Sequence, residues 1–129
     1  MNIGRAAKLS GVSAKMIRHY ESIGLFPKPL RTNSGYRIYA MTDVHTLKFV
    51  KRARALGFSM ADIKKLVGLW RSKTRESAQV KAMALSHIQE LEQKIQELKS
   101  MSEALKKLTC HCHGDERPNC PILDDLASE

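Results

Sequence analysis

A chain of 129 residues, 43% hydrophobic and 27% charged, has the make-up of a globular protein of one or two small domains. No run of about 18 uncharged apolar residues is present, which excludes a membrane-spanning helix, and Met1-Asn2-Ile3-Gly4-Arg5 lacks an apolar signal core, so a cytoplasmic protein is expected. The net charge of +9 is uneven: residues 1–75 hold 16 Lys and Arg against Glu21, Asp43 and Asp62, net +13, while residues 76–129 hold 6 against 10 Asp and Glu, net −4. Such a division predicts a polyanion partner for the first half alone.

Residues 3–10 place Ile3, Ala6, Ala7 and Leu9 mostly on one helical side, and Gly11 ends that helix. Ser13 caps a second helix running from Ala14 to about Ile23. Its Met16, Ile17 and Tyr20 share an inner side, Lys15, Arg18 and His19 point outward, and Gly24 terminates it. Two short helices joined by Gly-Val-Ser form a helix-turn-helix. Pro27 and Pro29 then stop any helix, and Asn33-Ser34-Gly35 is a hairpin turn between short strands at Leu30-Arg31 and Tyr36–Tyr39. The result is a small wing with Arg31 and Arg37 near its tip, suited to a minor groove or to phosphates.

Thr42 is positioned to cap a third helix, Asp43 to about Leu56, with Val44, Leu47, Phe49, Val50 and Ala53 inward and Lys48, Lys51, Arg52 and Arg54 as its basic residues. Gly57 ends it. Ser59 and Asp62 resemble a capping box, and Ile63, Leu66, Val67 and Trp70 form a core stripe in which Trp70 reads as an anchor. Arg71 to Glu76 is a polar joint. From Ser77 to Leu108 neither proline nor glycine occurs, and Ala84, Ile88, Leu91, Ile95, Leu98 and Leu105 recur at alternating four and three spacing, with Ser102 the polar exception. This is a coiled-coil seam whose expected partner is the same helix of a second chain, the alternative being a fold back onto the N-terminal domain.

Beyond Leu108 stands the loop from Cys112 to Cys120, followed by Pro121 at the start of a short helix reaching about Leu126. Three cysteines, an odd number, make a disulfide framework a poor reading in a reducing compartment. Thiolates favour soft ions, and two of them on one loop suit a linear site for a d¹⁰ monovalent ion such as Cu(I), Ag(I) or Au(I). A helix N-terminus at Cys120 favours the thiolate. Asp124 and Asp125 sit too far along that helix to be obvious ligands. Cys110, His111 and His113 open an alternative, a tetrahedral Zn(II) site together with Cys112 and Cys120.

On Ile3-Gly4, Ala7, Gly11-Val12-Ser13, Ile17-Arg18-His19-Tyr20-Glu21, Gly24-Leu25, and Arg31 through Gly35-Tyr36-Arg37 to Tyr39, the chain resembles the MerR family of transcription regulators. Its Cys112-(seven residues)-Cys120-Pro121 loop resembles the copper-responsive, CueR-like branch. The resemblance implies a mainly α fold in three parts. Residues 1–75 are a winged helix-turn-helix DNA-binding domain, 76–109 a dimerisation helix in an antiparallel coiled coil, and 110–129 a metal-binding loop with a short helix. It implies a homodimer on a palindromic operator between promoter elements spaced too far apart. The metal-free form represses, and metal binding distorts the DNA so that RNA polymerase starts a detoxification or efflux gene. The DNA contacts it implies are Lys15, Arg18 and Tyr20 of the second helix and Arg31, Tyr36 and Arg37 of the wing. His19 stands where the family often has an aromatic residue. Cys112 and Cys120 are the implied metal ligands, with Ser77 facing the partner chain's loop. Divalent-ion relatives place a cysteine there, although a serine at a helix start is also a plain N-cap. No Cys-x-x-Cys pair supports a redox enzyme or metallochaperone, and the residues after Leu108 are too few for a multidrug-binding domain.

Overall fold

The computed structural model describes residues 1–26, 30–72, 77–110 and 120–128. In chain order they form α1 (Ile3–Ser10), α2 (Ala14–Ser22), β1 (Leu30–Arg31), β2 (Arg37–Ile38), α3 (Met41–Ala55), α4 (Met60–Arg71), α5 (Ser77–Cys110) and α6 (Pro121–Ala127). Pro27, Pro29, residues 73–76 of the polar joint, His111, Cys112 and His113 lie outside the described residues.

The helices start where side chains satisfy free backbone N–H groups. Asn2 Oδ1 accepts from Arg5 N at 2.8 Å, Ser13 Oγ from Met16 N at 3.2 Å and Ser59 Oγ from Asp62 N at 3.1 Å. Gly11 ends α1 at φ 75°, a left-handed conformation that favours glycine, while the only close neighbour of a Cβ there is the flexible end of Lys51. The expectation for α3 needs correction. Its N-cap is Ala40, and it begins at Met41 rather than after Thr42. The Asp43 carboxylate, three residues into the helix, reaches back to accept from Ala40 N at 2.9 Å, which leaves Thr42 inside the first turn.

α3 packs against both α1 and α4, and α1 also packs against α2. Ile17, Tyr39, Val44, Leu47, Val50 and Ile63 are almost wholly buried at this centre. The α4 stripe is buried at Ile63, Leu66 and Val67 but not at Trp70, which is 39% exposed. Val67 already closes the core and α4 ends at Arg71, so Trp70 stacks on Phe49 instead, centroids 4.6 Å apart and planes 9° from parallel. Arg71 Nη2 donates to Thr46 Oγ1 at 2.6 Å and ties the end of α4 to α3.

The wing is shorter than expected, two residues per strand, with Leu30 opposite Ile38 and Arg31 opposite Arg37. Its ladder stops for local reasons. Thr32 Oγ1 accepts from Tyr36 N at 3.1 Å, and Tyr39 N donates to Met1 O at 2.7 Å rather than to the opposite strand. Gly35 turns the hairpin at φ 86°.

Two compact units are present, Met1–Met83 and Ala84–Glu129. α5 has 34 residues, about 51 Å of helix, and runs two residues past Leu108 to Cys110. His87 is its only buried residue. The seam is open in this chain: Ile88, Leu91, Ile95, Leu98 and Leu105 are 36–63% exposed. Among the described residues no helix is long and apolar enough to cross a membrane.

Candidate nucleic-acid interface and thiol loop

α2 divides as its spacing requires. Ile17 and Tyr20 are buried, and Lys15, Arg18 and His19 are exposed. Asn2, Ile3 and Arg18 join Arg31, Gly35, Tyr36 and Arg37 of the wing around one concavity of about 560 Å³. Three guanidinium groups therefore converge on one open face, with the Tyr36 ring 72% exposed at its edge. Guanidinium forks suit phosphate oxygens, and an exposed aromatic can pack along a sugar-phosphate strand. Arg31 Nη1 also donates to Gly35 O at 3.3 Å, which anchors it to the turn.

Tyr20, expected on the DNA face, is 2% exposed, and its hydroxyl accepts from Arg54 Nη1 at 2.7 Å. The inward stripe of α2 claims the ring, and the hydroxyl, which accepts from Arg54, is the polar end of that side chain.

Two residues beyond the expected set complete this face. Glu21 Oε1 lies 3.0 Å from Arg37 Nε, and Glu21 Oε2 accepts from the Tyr39 hydroxyl at 3.1 Å. Arg37 Nε is buried yet not aligned for a hydrogen bond, so its contact with the carboxylate is chiefly Coulombic. Burial first, and then the neighbouring Glu21 charge, raises the Tyr39 pKa above its ordinary value of 10.0. The signal for Glu21 was available in sequence: it is one of only three acids among the first 75 residues.

Cys120 occupies the position just before α6, with Pro121 as the first helical residue. Its thiol is half-buried, and that of Cys110, the last residue of α5, is exposed. The separation of Cys112 from either thiol lies outside the described residues, as do the histidines of the Zn(II) alternative. Among the described residues no three His, Cys, Asp or Glu side chains come together. Ser77 is exposed and is the first residue within α5.

Comparison with known proteins decides the family. The model of the MerR family regulatory protein matches residues 2–39, and that described as MerR, DNA binding matches residues 44–108. The chain belongs to the MerR family of transcription regulators. A relative in Rhizobium meliloti (strain 1021), heavy metal-dependent transcription regulator 2, is 59% identical over 99% of this chain and 87% of that protein. The HTH-type transcriptional regulator CueR of Escherichia coli O6:H1 is 39% identical over 98% of this chain and 94% of that protein. Among solved structures, the transcription regulator PbrR691 from Ralstonia metallidurans CH34 in complex with lead(II) matches at a TM-score of 0.86 and 31% identity. That match covers 98% of this chain and 99% of the other. As a MerR family member the chain is a regulator and not an enzyme, and it binds promoter DNA as a dimer. The concavity between α2 and the wing and the open seam of α5 are the two surfaces that such a protein needs.

Proposed function

We propose that this MerR family regulator acts in the cytoplasm, senses Cu(I), with Ag(I) and Au(I) as chemical equivalents, and activates a metal-detoxification or efflux promoter. Cys112 and Cys120 hold the ion, and Ser77 of the second protomer faces the loop without ligating. The observation that carries this reading is the seat of Cys120, half-buried just before α6 and separated by seven residues from a second cysteine. Two soft thiolates and no obligatory further ligand suit a monovalent d¹⁰ ion, whereas Zn(II) calls for four ligands. Heavy-metal regulators and CueR aligning over almost the whole chain support it. The thiolates of Cys112 and Cys120 would hold the ion, which would supply a soft two-sulfur centre after the end of α5.

Lys15, Arg18, Arg31, Tyr36 and Arg37 make the DNA face, and Tyr20 supports it from within. Residues 1–75 are the DNA-binding part, 76–109 the dimerisation helix in an antiparallel pair, and 110–129 the sensor. The dimer sits on a palindromic operator, represses when metal-free, and on binding the ion distorts the DNA so that RNA polymerase starts. A second reading, a Zn(II) or other divalent-ion regulator, rests on Cys110, whose exposed thiol is two residues before Cys112. Anaerobic Cu(I) titration under a competing chelator, followed by X-ray absorption, separates them. Two sulfur neighbours support the monovalent site; three or four mixed sulfur and nitrogen neighbours favour the divalent one.

A further inference from the structure

We infer that Glu21 is a positioning residue for DNA recognition: from α2 it clamps Arg37 of the wing so that this arginine and Arg18 act as one phosphate-binding unit. The wing cannot set its own angle. It has two residues per strand, and an isolated two-stranded hairpin is marginal at best. Its orientation comes from ties to other elements: the backbone of Tyr39 pairs with Met1 in both directions at 2.7 Å, and side chains reach α2. Glu21 provides such a tie, with Oε1 3.0 Å from Arg37 Nε and Oε2 accepting from Tyr39 across 18 positions of sequence. The Glu21 side chain is 9% exposed, and a carboxylate that dry is held by its partners rather than by water.

Arg37 has two ends. Nε is buried against Glu21, while the side chain as a whole keeps 30% of its surface open and lines the concavity that contains Arg18 and Arg31. Arg18 lies one helical turn before Glu21, so the residue that holds the wing and the residue that meets the DNA are fixed to each other through α2.

Charge alone makes the opposite prediction, which gives the inference its edge. Removing a negative charge from a DNA-binding face tightens binding by simple electrostatics. If Glu21 positions Arg37, its neutral isostere weakens binding instead. The inference rests on Arg37 belonging to the DNA face, and the experiment tests the two separately. Full-length parent, Arg37→Ala, Glu21→Gln, Tyr39→Phe and the Glu21→Gln/Arg37→Ala double variant are titrated with a labelled duplex selected by the parent from random-sequence DNA. Thermal melts confirm folding at the assay temperature. Glu21→Gln is expected to weaken binding about tenfold, and to add nothing in the Arg37→Ala background. Tyr39→Phe, which removes one arm of the clamp without touching a charge, weakens binding in the same direction by less. A purely structural role lowers the melting temperature and leaves the affinity of the folded protein in place. Unchanged or tighter binding in Glu21→Gln, or an undiminished effect in the double variant, overturns the inference. If Glu21→Gln does not fold, the affinity of Tyr39→Phe decides, and unchanged binding there overturns it. No loss of affinity in Arg37→Ala sinks the DNA-face assignment itself.

Discussion

Residue by residue, the proposed DNA face combines side chains that α2 throws outward with side chains that the wing brings alongside. Lys15 and Arg18 are exposed because Ile17 and Tyr20 are drawn inward. Arg18→Ala and Arg37→Ala are each expected to weaken operator binding roughly tenfold or more and to reduce its salt dependence by about one counterion; filter binding across a salt series measures both. Tyr39 supplies a pH prediction. Its folded pKa lies above the unfolded value of about 10, so the neutral form is favoured by folding. The corresponding stability is present below pH ~10 and is lost as pH rises through the folded pKa. In chemical denaturation at stepped alkaline pH, Tyr39→Phe should therefore lose stability less steeply than the parent. Lys15, Arg18 and the wing arginines were legible from helical spacing and from the hairpin turn. Glu21 stood out as one of three acids in a basic half, but its role did not, because that depends on Arg37 and Tyr39 arriving beside it in space.

Among the elements, the helices were largely legible because their ends are written in single residues. Gly11, Ser13 and Ser59 sit at caps whose hydrogen bonds need only neighbours in sequence. The start of α3 was misread at Thr42, because a carboxylate three residues inside can cap the backbone as well as a hydroxyl at the boundary. Trp70 was misread because periodicity gives a side but not a depth, and α4 runs out as Trp70 meets Phe49. Ser13→Ala removes the α2 cap and should cost about 1 kcal/mol, seen as a lower denaturation midpoint. The α5 seam carries a larger effect. Burying one Leu or Ile side chain is worth roughly 1.5–3 kcal/mol, and Ile95 and Leu98 are 59% and 63% exposed in the single chain. Leu98→Glu should convert the dimer to monomer in analytical ultracentrifugation, while helicity in the Met1–Met83 unit persists.

The molecule as a whole carries, in chain order, a basic N-terminal unit, an open helical seam and a pair of cysteines after it. The proposed thiol pair rests on the spacing of Cys112 and Cys120 and on Pro121, which stands first in α6; Cys110, grouped with the loop in the sequence reading, is the last residue of α5 with its thiol exposed. How the loop is arranged around an ion could not be read from spacing, since a loop's path depends on contacts that no periodicity encodes. The central claim is that a two-cysteine loop converts Cu(I) into transcription by a protein already on its promoter. Anaerobic transcription in vitro from a selected operator-promoter, with and without Cu(I), tests it directly in the parent, Cys112→Ser and Cys120→Ser. The account predicts that all three bind the operator with the same affinity and that only the parent activates on adding Cu(I). Copper-dependent transcription in either serine variant would contradict it.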